Sequence, residues 1–109
     1  MNQVYLEVRV IEVKPLRLTP AGIPVQELIV EHCSEVVEAG HLRKVEFVLS
    51  ARAIGHITQL LQNLTIGTVM KVEGFLAASR KHSTKLVLHL QKVQIPDVSG
   101  STQMIEMAK

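Results

Sequence analysis

The residues with reactive side chains give no support to catalysis. His32 and Cys33 are adjacent in the sequence, and a cysteine beside a histidine can act as a nucleophile with its base. Neighbouring residues of a β-strand point to opposite faces, however, so these two side chains cannot form a hydrogen bond with each other. We expect one surface histidine and one buried thiol here.

The other ligand-type residues show no spacing typical of a metal site. Five histidines accompany a single cysteine, which does not match the close ligand pairs of a zinc site. Four acids follow one stretch of chain in the manner of a solvated face, and they are Glu27, Glu31, Glu35 and Glu38. A glycine-rich phosphate loop is also missing. The sequence therefore predicts no enzyme activity, no metal and no cofactor.

A block of positive charge between Gly74 and Pro96 is the clearest functional signal. It contains four Lys and Arg residues and no acid, and these residues are Arg80, Lys81, Lys85 and Lys92. The rest of the chain holds the other 8 of the 12 Lys and Arg and all 10 Asp and Glu. Such a block either solvates a hairpin turn or attracts an anionic ligand, and the charge alone leaves both interpretations open.

Length and composition indicate one cytoplasmic domain. A chain of 109 residues has room for one core, and that core must be aliphatic because the chain has only three aromatic residues and no Trp. The single cysteine excludes an intramolecular disulfide and suits a reducing cytosol. No signal peptide and no apolar run long enough for a bilayer is evident, so we expect a soluble protein without a membrane segment.

Hydrophobic periodicity predicts five strands and one short helix. The strands are expected at Val4–Lys14, Val25–His32, Leu42–Ser50, Thr68–Leu76 and Lys85–Ile95. In Ala51–Leu64 the apolar residues recur at a spacing of three to four, which predicts an amphipathic helix. Ser34–Gly40 is expected to be a loop. Residues 1–96 would form the domain, and residues 97–109 would form a flexible C-terminal tail.

This order of elements predicts an all-β fold, a five-stranded Greek-key OB-fold barrel with one short helix between strands 3 and 4. That fold binds ligands on its strand 2–3 face and with its 4–5 loop, which here is the basic tip Ser79–Lys85. Parity places Lys44, Lys71 and Phe75 on outer faces of their strands. An outward aromatic beside basic residues suits single-stranded DNA, because bases stack and phosphates pair with cations. The alternative for Phe75 is packing under a loop or in a subunit interface.

Several sequence blocks, occurring in the right order, resemble the family of primosomal replication protein N (PriB). The blocks are PLR at Pro15–Arg17, PAGIP at Pro20–Pro24, EHCSEVVEAG at Glu31–Gly40, TIG at Thr65–Gly67, VEGF at Val72–Phe75 and LVLH at Leu86–His89. The resemblance implies a non-enzymatic OB-fold homodimer that binds single-stranded DNA and the PriA helicase, and in some bacteria DnaT, to reload the replicative helicase at stalled forks. By position, it implies DNA contacts from Arg17, Phe75, Arg80, Lys81 and Lys85.

Two positions depart from the family pattern. Glu46 stands where better-known members carry an outward tryptophan on the third strand, and His41 replaces an aromatic near the start of that strand. A carboxylate repels phosphate, so the sequence predicts weak DNA binding. Three functions stay open, namely a primosome accessory factor, a general single-strand coating protein and an OB module that binds only protein. The chain finishes IEMAK, and the lack of an acidic end disfavours the coating protein.

Overall fold

Seven strands and one 3₁₀ helix make up the part of the chain that the structure describes. The computed structural model describes residues 1–96 and the backbone of residues 102–106. The strands are β1 Val4–Val13, β2 Arg17–Leu18, β3 Pro24–Glu38, β4 His41–Ile54, β5 Val69–Ala78, β6 Leu86–Pro96 and β7 Thr102–Glu106. The 3₁₀ helix, Gly55–Leu61, connects β4 to β5.

The five long strands close into a barrel. The strand order is β1–β5–β6–β4–β3, and an additional pairing between β1 and β3 closes the circle. All of these pairings are antiparallel except β4 with β6, where Ser50 lies opposite Val87 in a parallel ladder. The helix follows the third long strand, β4. The predicted OB-fold class, with one short helix between its third and fourth long strands, is confirmed.

The barrel interior is aliphatic, as predicted from the scarcity of aromatic residues. Every buried hydrophobic side chain among the described residues is aliphatic, and the largest fully buried ones are Leu28, Met70, Leu88, Val10 and Val30. Ile57 and Leu61 of the helix join this core and pack against the barrel residues. No helix in the described residues has the length and apolarity that a membrane crossing needs.

The prediction of a helix over Ala51–Leu64 is wrong at its start. β4 continues through Ile54, with the small residues Ala51 and Ala53 buried and Arg52 on the opposite face. Gly55 then adopts a φ of +89°, which a residue with a side chain rarely does, and the chain leaves the sheet there. The alternation of small buried residues with larger outward-facing ones at Ala51–Ile54 is typical of a strand. Pairing with β3 continues β4 through these residues.

The prediction of a loop at Ser34–Gly40 is also wrong. β3 runs on to Glu38 and pairs in register with β4 as far as Glu38 opposite His41. Only Ala39 and Gly40 form the turn, with φ values of +51° and +80°, as a two-residue hairpin connection requires. Among the described residues, 32–38 and 41–49 pair only with each other. We call this two-stranded ribbon, which projects from the barrel, the arm.

The structure describes one element within the predicted C-terminal tail. β7 pairs antiparallel with β6, with Lys92 opposite Glu106 and Pro96 opposite Thr102. β5 pairs with one edge of β6, and β4 pairs with the other edge only over residues 87–89. Without β7 the rest of that second edge would be unpaired, and an unpaired edge favours an added strand. The backbone at 102–106 is a strand, and the flexible tail expected for residues 97–109 stays a prediction. The rest of that prediction, residues 97–101 and 107–109, lies outside the described residues.

Candidate nucleic-acid interface

The basic tip, Ser79–Lys85, is an ordered turn. The amide of Ser79 donates to the carbonyl of Lys85 at 2.9 Å, and the amide of Ser83 donates to the carbonyl of Arg80 at 3.0 Å. The Ser83 hydroxyl accepts the amide of Lys85 at 3.0 Å. Arg80, Lys81 and Lys85 are exposed, and none of them has a carboxylate partner in the described residues. The turn therefore presents three cations from a fixed backbone.

A row of side chains crosses the outer face of the barrel near the tip. Cross-strand register places Glu27 opposite Arg52, Arg52 opposite His89, and His89 opposite Phe75. We call these four residues the charged row. The rings of Phe75 and His89 are stacked, with centroids 4.8 Å apart and planes 9° apart. Phe75 therefore lies on the outer face, and one side of its ring is covered by an imidazole.

Arg17 extends the charged row from β2. Its Nη2 donates to Oε2 of Glu27 at 2.7 Å, while Nη2 of Arg52 lies 3.6 Å from Oε1 of the same carboxylate. The hydrogen bond from Arg17 lowers the pKa of Glu27, and the charge of Arg52 adds to this effect against the opposing effect of burial. Two guanidinium groups therefore share one carboxylate, and the cluster keeps a net positive charge.

Arg52 is the member of this cluster that sequence reasoning missed. It falls inside the predicted helix, whereas in the structure it lies on β4, half-buried between Glu27 and His89. Its Nε is buried and has no hydrogen-bond partner among the described residues. A buried guanidinium N–H without an acceptor is costly, so the place of Arg52 in this cluster reduces stability. The signal in the sequence is the alternation Ala51, Arg52, Ala53.

The surroundings of His89 lower its pKa and so favour its uncharged form. Burial lowers its pKa below the ordinary value of 6.5, and the nearby positive charge of Arg52 lowers it further. The unfolded chain therefore takes up a proton at a pH where the folded chain does not. Stability from this source is complete above pH 6.5 and is lost as the pH falls through that value.

We expect acid to destabilise the protein through His89. Between about pH 7.5 and 5.5 the free energy of unfolding should fall by no more than about 1.4 kcal/mol per pH unit, the limit for one proton. Urea denaturation at both pH values measures this difference. His89→Gln should reduce the pH dependence, and an unchanged dependence in that variant would assign it to another group.

Lys44 and Glu46 lie together on the outer face of the arm. Nζ of Lys44 is 3.6 Å from Oε2 of Glu46, and Lys44 also lies opposite Glu35 on β3. Each of the paired side chains is 63% exposed. The structure therefore puts Lys44 among carboxylates, where its charge is offset, and keeps it apart from the charged row.

Lys71 is separated from the other predicted site residues. It lies on β5 between Glu7 of β1 and Gln94 of β6. Ala78, at the base of the tip, lies seven positions further along β5, a distance of about 23 Å along the extended strand. Of the seven predicted site residues, Arg80, Lys81 and Lys85 form the tip, Phe75 and Arg17 belong to or join the charged row, and Lys44 and Lys71 lie elsewhere.

The adjacent His32 and Cys33 point to opposite faces, as strand geometry predicted, but their burial is the reverse of the expectation. His32 faces inward and is half-buried, with Nδ1 donating to the carbonyl of Glu7 at 2.7 Å and Nε2 lying 2.9 Å from the Ser34 hydroxyl. Cys33 is exposed on the outer face. From Gln26 to Val30 the even-numbered residues of β3 are the buried ones, and the same alternation continued to His32 and Cys33 explains the reversal. Within the described residues no group of three His, Cys, Asp or Glu is arranged to hold a metal ion.

Comparison with known proteins identifies the class. The profile of a family described as "Another single-strand binding protein family" matches residues 2–92. The single-stranded DNA-binding protein from Thermus aquaticus superposes with a TM-score of 0.71 at 22% identity, over 94% of this chain and 53% of that structure. At that identity the likeness shows the fold alone. Profile and barrel together define an OB-fold protein of the single-strand-binding class.

More similar relatives identify the family within this class. The replication restart protein PriB of Bordetella pertussis is 51% identical over 94 residues, which span 86% of this chain and 88% of the relative. PriB of Nitrosomonas europaea is 33% identical over 94 residues, spanning 86% and 87%. The structure of PriB from Ralstonia solanacearum superposes with a TM-score of 0.79 at 32% identity, over 89% of this chain and 99% of that one. The chain belongs to the PriB family of replication restart proteins.

Proposed function

We propose that this chain is a non-enzymatic accessory factor of replication restart that binds single-stranded DNA weakly and binds the PriA helicase. The observation that supports DNA binding is the set of three exposed cations on the tip, which have no carboxylate partner among the described residues and lie on the same β5–β6 hairpin as the Phe75–His89 stack. Phosphates would pair with the tip while a base contacts the open side of Phe75. The guanidinium groups of Arg17 and Arg52 extend the positive surface across the barrel.

The remaining parts of this proposal follow from the family resemblance. The protein acts in the cytoplasm without a cofactor, and DnaT is a further partner in some bacteria. A purely protein-binding OB module is the alternative that one observation favours, because the outer face of the arm carries two glutamates, Glu35 and Glu46, against one lysine. The accessory factor would need the cations of the tip for DNA binding, whereas a protein-binding module that uses the arm would not.

The tip should carry the electrostatic part of DNA binding. Arg80→Ala and Lys81→Ala should each weaken binding several-fold and make the log–log salt slope shallower by about 0.7 for each phosphate that the variant no longer neutralises. Fluorescence anisotropy with a labelled oligothymidylate across a salt series measures both quantities. If the affinity and the salt slope are unchanged in both variants, the tip does not bind DNA and is a solvated turn or a protein-docking element.

Lys71→Ala provides a matched comparison for the tip variants. It removes the same charge on the same hairpin, at a position about 23 Å along the strand from the base of the tip. A site centred on the tip predicts a smaller loss for Lys71→Ala than for Lys81→Ala. Equal losses would support the sequence-based prediction that Lys71 belongs to the DNA-binding residues.

A homodimer should form through β1. β5 pairs with β1 over Val4–Arg9 and β3 pairs with it only over Arg9–Val13, so no strand among the described residues pairs with the other edge of Val4–Val8. An unpaired, β-branched edge favours pairing with a second copy. Light scattering at micromolar concentration should give about twice the chain mass of 12.1 kDa, and a stable monomer would contradict the proposal.

A further inference from the structure

The outer face of the arm differs in charge and polarity from the tip. It carries two carboxylates, three exposed aliphatic side chains, one cysteine and one lysine, and these residues are Glu35, Glu46, Val37, Leu42, Val48, Cys33 and Lys44. Val37 is 71% exposed and lies directly opposite Leu42, which is 73% exposed. The cation on this face, Lys44, is already paired with Glu46. The face is therefore acidic and apolar together.

This composition disfavours nucleic acid as the ligand of the arm. Phosphates would approach carboxylates, and no exposed aromatic ring on this face is available for base stacking, because Phe47 lies on the other side of β4 against His32. The exposed aliphatic pair would gain little from a small hydrophilic cation but would gain from burial against protein side chains. The chemistry of the face therefore fits a basic protein segment with interspersed apolar residues.

The backbone of the arm adds a second reason. Over residues 32–38 and 41–49 each strand has an edge without a partner among the described residues. An extended segment can add to such an edge through backbone hydrogen bonds, while its alternate side chains lie along the exposed face. Ordered strands at an open edge need no folding before binding, which reduces the entropic cost of docking.

We infer that the outer face of the arm docks a lysine- and arginine-rich segment of the partner helicase, apart from the DNA held by the tip. The inference rests on the proposed function, because it assigns the helicase contact of that function to one surface. DNA and helicase then occupy surfaces of opposite charge, and one molecule binds both at once. Each bound partner raises the effective concentration of the other.

Cys33 offers a direct probe of this face. It is the single cysteine of the chain, it is exposed, and it lies opposite Glu46 on the outer face. Its alkylation by iodoacetamide is followed from the intact mass of this chain, which separates it from any helicase cysteine. Saturating PriA helicase should slow the alkylation by about tenfold or more, whereas saturating oligothymidylate should leave the rate unchanged.

Charge reversal provides the second measurement. Glu35→Lys should weaken helicase binding about tenfold or more, and Glu12→Lys, the same change on β1 away from the arm, should alter it less than about twofold. Helicase binding without protection of Cys33, with equal effects of the two variants, would overturn the inference and leave the proposed function standing. Protection by oligothymidylate, or by raising the concentration of this protein alone, would also overturn it, since DNA or a second copy would then occupy the face. Failure of the helicase to bind the unmodified protein would refute the helicase part of the proposed function and the inference with it.

Discussion

Gly74→Ala should lower the free energy of unfolding by more than about 3 kcal/mol, a large part of the 5–15 kcal/mol typical of a domain. A Cβ at this position would lie 1.8 Å from the carbonyl oxygen of His89 and 2.9 Å from its carbonyl carbon. Both atoms belong to the backbone of β6, so no side-chain rotation relieves the overlap. Either β5 and β6 separate locally or the chain does not fold.

The position of Gly74 explains why a side chain is excluded. The register between β5 and β6 shifts between Glu73 and Gly74, so the two strands approach closely at an irregularity in the ladder. Such irregularities bend a strand and help a sheet close into a barrel. Phe75 follows directly, and its stacking on His89 depends on the same local geometry. The substitution should therefore disturb the charged row as well as stability.

Gly40→Ala is the matched control for this prediction. Gly40 has a φ of +80°, but a Cβ there would meet no atom of the described residues within 4 Å. Its cost should be only the backbone strain of the left-handed region, about 1–2 kcal/mol. Guanidinium denaturation followed by circular dichroism compares the two variants, and an equal loss in both would show that the β5–β6 approach relaxes at little cost.

The barrel could be predicted from the sequence because its strands bury alternate residues. Val8 and Val10 on β1, and Met70 and Val72 on β5, are buried with exposed residues between them. Period-2 alternation is a local property, so one strand reveals it without knowledge of its partner. The two errors fall where pairing overrides local composition, at the second half of β3 and at the end of β4.

The arm illustrates the first of these errors. Two glutamates in the predicted loop Ser34–Gly40 are typical of a solvated turn, yet Glu35 lies opposite Lys44 and Glu38 forms an ion pair with Arg43 at 2.8 Å. Opposite charges across a ribbon stabilise it modestly and keep it soluble. These glutamates can be assigned to a strand only when β4 is known to be the partner of β3. That partner can be identified only when the turn at Ala39–Gly40 is recognised.

The candidate site divides in the same way. The tip could be predicted because its charges are close together in sequence. The charged row could not, because four strands contribute one residue each and two of them, β4 and β6, meet in parallel. Register between distant strands is not encoded in the local pattern of either strand. Arg52 and His89 therefore emerged only from the assembled barrel.

Glu46→Trp should tighten single-stranded DNA binding by about an order of magnitude or more, since stacking of one base contributes roughly 1–3 kcal/mol. Glu46 faces outward on β4 opposite Cys33, and its side chain is 63% exposed. The tryptophan would supply a stacking plane beside Val48 and would remove a charge that repels phosphate. It would also release Lys44, whose Nζ lies 3.6 Å from the Glu46 carboxylate, for a contact with DNA.

Glu46→Gln separates the two contributions, because it removes the charge and frees Lys44 without adding a ring. Anisotropy across a salt series should show a steeper slope for both variants and a further, salt-insensitive gain for the tryptophan alone. If Glu46→Trp binds no better than Glu46→Gln in a protein of unchanged fold, DNA does not reach this face. Both variants should at the same time lose helicase affinity, because they remove a carboxylate from the proposed docking face. Opposite changes in the two affinities would mean that a carboxylate at position 46 reserves the arm for protein at the expense of DNA.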